Sequence, residues 1–335
     1  TFIDEPEFDN RPIAYVPIQP VIDGFTDPSD VLIGFDQLLY VVDKGTEEII
    51  CFDLAGNELS RRTVPGVHRI IQDRSLDILA LGTFDTTIAS VSYGLPAIFR
   101  LNMTSSGGYG LSAADLSKVV THPFYFKPSF SSDDADLEFT DIAILSDNSY
   151  YVTRSGPNNS TSQFGGPDDA ILYFNNEDQY VTPVVVQTDI GTFSDYFKDP
   201  LSITTTIQPP QSFGIPDNRD FVFASGSPQT SIKVQYIEYF ESEFGASYEV
   251  KELPPDPTRA DGFLATPDRF SSPSGLNYTG DGTNYIFVVD SDTDSLYQFT
   301  NNGWEGVRPP TGSLENRYIK ASFGGTGVEL TQFNN

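Results

Sequence analysis

Cysteine, methionine and tryptophan each occur once in 335 residues, and histidine only twice. The single cysteine, Cys51, excludes an intramolecular disulfide and any cysteine-based metal cluster. Between Ile50 and Phe52 it reads as a strand residue, not a nucleophile. Two histidines, His68 and His122, cannot supply a multi-histidine zinc centre, and a Ser–His–Asp triad would have to use one of them. No Gly-x-Ser-x-Gly elbow accompanies them. His68 near a strand start and His122 before Pro123 therefore read as structural. Cations are scarce as well: 19 Lys and Arg face 47 Asp and Glu, for a formal charge of −28. That balance argues against nucleic acid or an anionic membrane bound through a basic surface, and it suits solubility, a cation or a basic partner. There is no apolar run long enough for a transmembrane helix. Long stretches of Ala, Leu, Glu and Lys at helical spacing are missing too. The Gly-rich stretches, Gly107-Gly108 and Gly324-Gly325-Thr326-Gly327, lack the strand-to-helix context that phosphate binding needs.

What is present is aromatic and turn-rich: 26 Phe, 17 Tyr, 27 Gly and 24 Pro. The stretch from Phe270 to Gly303 sets the pattern. Phe270-Ser-Ser-Pro-Ser-Gly275 leads through a Gly280-Asp-Gly282 turn to Tyr285-Ile-Phe-Val-Val-Asp290, then Ser295-Leu-Tyr-Gln-Phe299 and a turn at Gly303. Short β-branched and aromatic runs punctuated by Gly, Asp and Asn read as three antiparallel strands. The nearly continuous apolar run from Tyr285 to Asp290 predicts a strand covered on both faces, with Leu296 and Phe299 on a partly exposed neighbour.

The same pattern opens the chain at Phe25-Thr-Asp-Pro-Ser29, Leu39-Tyr-Val-Val-Asp43 and Ile49-Ile-Cys-Phe52. In an ungapped register Tyr40 falls on Phe287, Asp43 on Asp290, Cys51 on Gln298, Phe52 on Phe299 and Gly56 on Gly303. Each copy is too small to bury its own apolar face, so two matched copies far apart imply a repeat architecture. Looser units lie between them. Strand-like runs occur at Asp77–Gly82 and Ala97–Leu101, at Asp141–Leu145, Ser149–Thr153 and Ala170–Phe174, and at Leu201–Ile207, Asp220–Ser225 and Ser231–Phe240. Val119–Phe126, Val181–Val186 and Tyr248–Leu253 supply further strands, and Leu111–Leu116 a short helical turn. Unit starts roughly 45–65 residues apart suit four-stranded blades bearing loop insertions.

Residues 1–10 read as an acidic tether, and 11–335 as one all-β domain. Ile13 to Ile22 alternates apolar residues with prolines, the mark of an edge strand. The opening, Thr1-Phe-Ile-Asp-Glu-Pro-Glu-Phe-Asp-Asn10, resembles the tether of a mature bacterial lipoprotein, with a lipid anchor upstream of Thr1. It points to an extracytoplasmic protein: secreted, periplasmic or held at the cell surface.

Phe323-Gly-Gly-Thr-Gly-Val-Glu-Leu-Thr-Gln-Phe-Asn-Asn335 resembles the inter-blade connector of the NHL-repeat family, as do Phe270–Gly275 and Ile286–Ser291 its strand motifs. The resemblance implies a β-propeller of four-stranded antiparallel blades, six in most members. Family members serve mainly as protein- or ligand-binding platforms, and a minority are lyases or lactonases. In the family a Pro and a fresh strand follow the connector, whereas this sequence stops at Asn335. Five blades are recognisable, and the N-terminal strand is expected to belong to a sixth.

Asp290-Ser-Asp-Thr-Asp294 places Asp290, Asp292 and Asp294 at alternate positions, a spacing used by Ca²⁺ loops. Ser295 and Asn301 stand where an EF-hand needs Gly and Glu, and the first copy reads Asp43-Lys-Gly-Thr-Glu47. A polar turn explains the spacing equally, with Asp43 and Asp290 capping turn backbone. Ser131–Asp136 with Glu138 reads as a solvated acidic loop, and Arg154–Asp169 as a long polar insertion. Tyr236, Tyr239, Phe240 and Trp304 are candidate contacts for a partner or a glycan. The expected function is a non-catalytic binding or scaffold subunit of an envelope protein assembly, with no resident cofactor. The rivals are a divalent-metal-dependent lactonase- or lyase-like enzyme, with ligands from several blades, and a carbohydrate-binding surface protein.

Overall fold

The computed structural model describes residues 21–104, 108–120, 130, 132–157, 167–193, 195–207, 218–242, 245–309 and 316–324. Five antiparallel sheets follow one another along the chain. Blade 1 comprises β1 (Pro28–Ile33), β2 (Leu39–Asp43), β3 (Glu48–Phe52) and β4 (Glu58–Thr63). Blade 2 comprises β5 (Arg69–Gln72), β6 (Ile78–Ile88), β7 (Val91–Asn102) and β8 (Asp115–Val120). Blade 3 holds β9 (Glu138–Ile144), β10 (Tyr150–Ser155), β11 (Ala170–Phe174) and β12 (Tyr180–Pro183). A hairpin, β13 (Val186–Thr188) and β14 (Gly191–Phe193), precedes blade 4: β15 (Pro200–Thr205), β16 (Phe221–Ser225), β17 (Val234–Ser242) and β18 (Gly245–Val250). Blade 5 comprises β19 (Pro273–Tyr278), β20 (Tyr285–Asp290), β21 (Ser295–Thr300) and β22 (Phe323–Gly324).

Local chemistry sets the turns. Asp53 Oδ1 accepts the backbone N–H groups of Ala55 and Asn57, each at 2.9 Å. Asp73 Oδ1 does the same for Ser75 and Asp77, and Asn175 Oδ1 for Glu177 and Gln179. Each turn then passes through a left-handed residue: Gly56, Leu76 or Asp178. Short Asx side chains stand in for a backbone acceptor here, so one device closes hairpins in three blades.

The innermost strands β1, β5, β9, β15 and β19 pack in that order, and the cores lie between blades, not within them. Tyr40, Val42, Ile49 and Cys51 of blade 1 pack on Ile70, Ile78, Ala80 and Phe99 of blade 2. Equivalent clusters join blades 2 and 3, 3 and 4, and 4 and 5. A sheet with one apolar face towards each neighbour has no stability alone, and radial stacking removes both faces from water. On the face of blade 1 turned away from blade 2, Val41, Ile50 and Phe52 form a smaller hydrophobic cluster with Ile22, Phe25 and Leu39 among the described residues.

The five recognisable blades and a helical turn at Leu111–Ala113 match expectation. Five four-stranded blades are described, with blade 4 extended to six strands. Several details differ. Val186 does not end blade 3 but begins the β13–β14 hairpin, which pairs parallel with β18 through Val186–Tyr248 and Gln187–Glu249. The β6–β7 hairpin runs on to an Ala89-Ser90 turn, well past the expected strand ends, and Thr83 to Pro96 form a ribbon beyond the blade. Its turn uses two non-glycine residues in the left-handed region, which gave no turn signal in the sequence. Ser132–Asp136 is a 3-10 turn with Asp134 buried, so this acidic cluster is not a fully solvated loop. Phe299, expected on a partly exposed strand, is fully buried, whereas β20 is covered on one face only: Phe287 is half-buried and Val289 is 40% exposed. The expected edge strand up to Pro20 and the connector beyond Gly324 lie outside the described residues.

Candidate functional site

Strand register puts one residue of each innermost strand at the same level. Asp30 pairs with Val42, Arg69 with Leu81, Asp141 with Thr153, Ser202 with Ala224 and Gly275 with Val289. In four blades a bulge directly precedes this position, and bulges re-aim the side chain that follows. The outcome is a polar belt around the central axis.

Most of the belt ties each blade to the next. Asp30 accepts from its neighbour's Val31 N–H at 2.9 Å and from Ile70 N–H of blade 2 at 2.8 Å. Asp141 repeats the arrangement with Ile142 N–H and, in blade 4, Ile203 N–H at 2.9 Å. Ser202 Oγ donates to Asp141 at 2.5 Å and accepts from Leu276 N–H of blade 5 at 3.0 Å. Buried backbone N–H groups at the ring's centre thus find side-chain acceptors where no sheet neighbour exists.

Blade 2 departs from the pattern by supplying a cation. Arg69 Nη1 donates to the Ser29 carbonyl of blade 1 and to the His68 carbonyl at 3.2 Å. Its Nη2 reaches the Ser274 carbonyl of blade 5 at 3.4 Å. The guanidinium therefore spans the centre from blade 2 to blades 1 and 5. Burial pushes Asp30 up to about 6, with Arg69 opposing that shift and Asp141 adding to it. Burial likewise raises Asp141, again against Arg69. Two carboxylates from separate blades thus feel the charge of one arginine.

The acidic loop after β20 begins with a capping aspartate. Both Asp290 oxygens accept backbone N–H groups, from Ser271 at 2.8 Å and Ser272 at 2.9 Å. Asp43 holds Thr26 and Asp27 in the same way. Backbone hydrogen bonds, from Thr26 first, hold the Asp43 carboxyl below the usual carboxylate range. Asp292 is exposed, and Asp294 is buried in a left-handed conformation. Among the described residues no group of three or more His, Cys, Asp or Glu is placed to hold a metal ion.

The remaining sequence candidates are scattered. Both His68 ring nitrogens face carbonyls, Phe139 at 2.8 Å and Gly66 at 3.2 Å, while His122 lies outside the described residues. Cys51 is buried, and burial raises its thiol. Tyr236, expected to be exposed, is buried with its hydroxyl on Asp220 at 3.1 Å. Tyr239 packs on Tyr248 and the Arg219 guanidinium, and only Phe240 of the three is exposed. Trp304 packs edge-on against Tyr318 and donates to the Pro254 carbonyl. The sequence reading missed the belt altogether. Asp30, Arg69, Asp141 and Ser202 share no motif, and only strand register aligns them.

No family model matches this sequence, and no curated protein matches it. Among solved structures it is similar to a calcium-binding protein, regucalcin, from Agrobacterium tumefaciens, at 9% identity and a TM-score of 0.51, covering 85% of this chain and 74% of that one. It is also similar to an auxiliary nutrient binding protein from Bacteroides ovatus, at 10% identity and 0.52, covering 89% and 62%. The chain is a β-propeller. At such identities the likeness speaks for the fold alone, and the chemistry has to be argued from this propeller's own residues.

Proposed function

We propose that this β-propeller is of the NHL type and acts outside the cytoplasm as a non-catalytic binding or scaffold subunit for a protein partner. The observation that supports this reading is Arg69. Its guanidinium reaches from blade 2 to carbonyls of blades 1 and 5 and acts electrostatically on Asp30 and Asp141, and a positive charge so placed disfavours a divalent cation at the centre. The same proposal takes the ring to have six sectors. Ile22, the last residue of the N-terminal alternating stretch, lies on the outer face of blade 1, which is where such a sector would begin.

The second reading, a divalent-metal-dependent lactonase- or lyase-like enzyme, draws on Asp30 and Asp141 at the centre and on the Asp290–Asp294 loop. Thermal unfolding with Ca²⁺ and with EDTA separates the two. A ligand at a hundred times its Kd stabilises by about 2.7 kcal/mol, which moves Tm by roughly 4 °C in a chain of this size. The binding reading expects a difference below about 1 °C. A shift of several degrees, abolished by Asp141→Asn, overturns it in favour of the enzyme.

A further inference from the structure

The linker between blades 4 and 5 borders an open cavity of about 640 Å³ against blade 4. It lies away from the central belt, among the β16–β17 loop, the end of β18 and the linker itself. That linker is not a loose connection. Leu264 N–H binds the Gly303 carbonyl at 2.8 Å, Asp268 N–H binds the Ser231 carbonyl at 2.7 Å, and Phe263 bridges to Trp304. One side of the cavity is thus anchored backbone and the other is blade 4, and its volume is in the size range of small-molecule sites.

Its chemistry narrows the ligand. Val234, Tyr236 and Leu253 are buried and form apolar wall, extended by Pro254 and Ala265. Between them lie uncharged hydrogen-bonding groups: Gln229, Thr230, Ser231 and Gln235. The Gln235 amide is held in place, since its oxygen accepts from the Tyr196 hydroxyl and its nitrogen donates to the Ile232 carbonyl at 2.9 Å. That leaves its second N–H uncommitted by these contacts. Lys251 offers no free charge. Its Nζ lies 2.9 Å from Glu238 and 4.3 Å above the Tyr236 ring. Glu252, exposed, is the lining carboxylate without such a partner. Among the described lining residues Lys251 is the only cation, and it is paired, so an anionic ligand would meet Glu252 and the acidic surface with no unpaired lining cation to receive it.

We propose that this cavity binds a neutral, polyhydroxylated ligand about the size of a disaccharide. Amide and hydroxyl groups match sugar hydroxyls, and the Tyr, Pro and aliphatic walls match the C–H faces of pyranose rings. This deepens the binding-platform reading and names a ligand class for a site off the central axis.

The test is calorimetric and NMR titration of the whole chain with maltose, cellobiose and xylobiose. The charged counterpart is the anionic digalacturonate. Saturable binding of at least one neutral disaccharide is expected, with digalacturonate weaker. Losing three uncharged partners in Gln229→Ala/Thr230→Val/Ser231→Ala lowers affinity about tenfold or more. Ser75→Ala, in a turn of blade 2, serves as the control and leaves it unchanged. An unchanged Tm in the triple variant excludes misfolding. Absence of binding by all three neutral sugars, binding indifferent to the triple variant, or equal or tighter binding of digalacturonate overturns the proposal. None of these outcomes bears on the Ca²⁺ and EDTA comparison, so the two readings fail separately.

Discussion

Blade 1 and blade 5 carry the same sequence pattern, yet equivalent positions meet different neighbours. Tyr40 and Val42 face blade 2 and are fully buried. Their counterparts Phe287 and Val289 face the sector after blade 5, where Val289 is 40% exposed. On the opposite faces the contrast reverses. Leu276 and Tyr278 rest on the core shared with blade 4, whereas Val31 and Ile33, at the same register positions of blade 1, are 64% and 67% exposed. Contacts internal to the repeat are unchanged: Phe25 meets Phe52 edge-on at 6.1 Å, as Phe270 meets Phe299 at 6.0 Å. Burial in this fold therefore belongs to the junction between blades, while turn and cap geometry belongs to the repeat.

Mutations at matched positions sharpen that distinction. The largest effect is expected at Phe299, fully buried between blades 4 and 5. Phe299→Ala should lower stability by about 3–5 kcal/mol in urea unfolding, through lost burial and the cavity left behind. Capping comes next. Asp43→Ala strands three backbone N–H groups and Asp290→Ala two, the two long-range ones being common to both, and each should cost about 2–4 kcal/mol. Near-equality of the two would bear out that caps are set within the repeat, and a large inequality would break the comparison. Because the Asp43 carboxyl lies below its ordinary range, its contribution is present above the unfolded value and lost as pH falls through the lowered one.

The belt offers a pH test, since blade 1 has Asp30 where blade 5 has Gly275. A carboxyl raised to about 6 favours the protonated folded state, so stability falls as pH rises from about 4 to about 6. Measured against Asp30→Asn across that window, the wild-type chain should lose up to about 3 kcal/mol relative to the variant. A pH-independent difference would mean that Asp30 titrates normally. The smallest effect is expected at the exposed junction. Val289→Ala should cost below about 0.5 kcal/mol, while Val42→Ala at the equivalent position costs about 2 kcal/mol. Equal costs would show that the sector after blade 5 is as well packed as the one after blade 1.

The acidic surface has a structural counterpart. Several of the scarce cations are placed against aromatic rings: Lys118 over Phe84 at 3.6 Å, Arg219 beside Tyr173 and Tyr239, and Arg269 over Tyr297 and Phe299. Such cations stabilise packing through the ring quadrupole and leave much of the carboxylate surface without nearby positive charge.

Strand rhythm, turn residues and the matched Phe–Pro–Asp positions of blades 1 and 5 determined locally that this chain forms repeated four-stranded units, because alternation and Asx turns act over a few residues. Which face of β20 is covered, where the β13–β14 hairpin docks and how far the β6–β7 ribbon extends were decided only by tertiary structure, since each depends on a neighbour remote in sequence. The same holds for the central belt and the linker cavity. Asp30, Arg69 and Asp141 become one electrostatic unit, and Gln235 and Leu253 one wall, only when radial stacking brings separate blades to a common axis or folds a linker over a sheet.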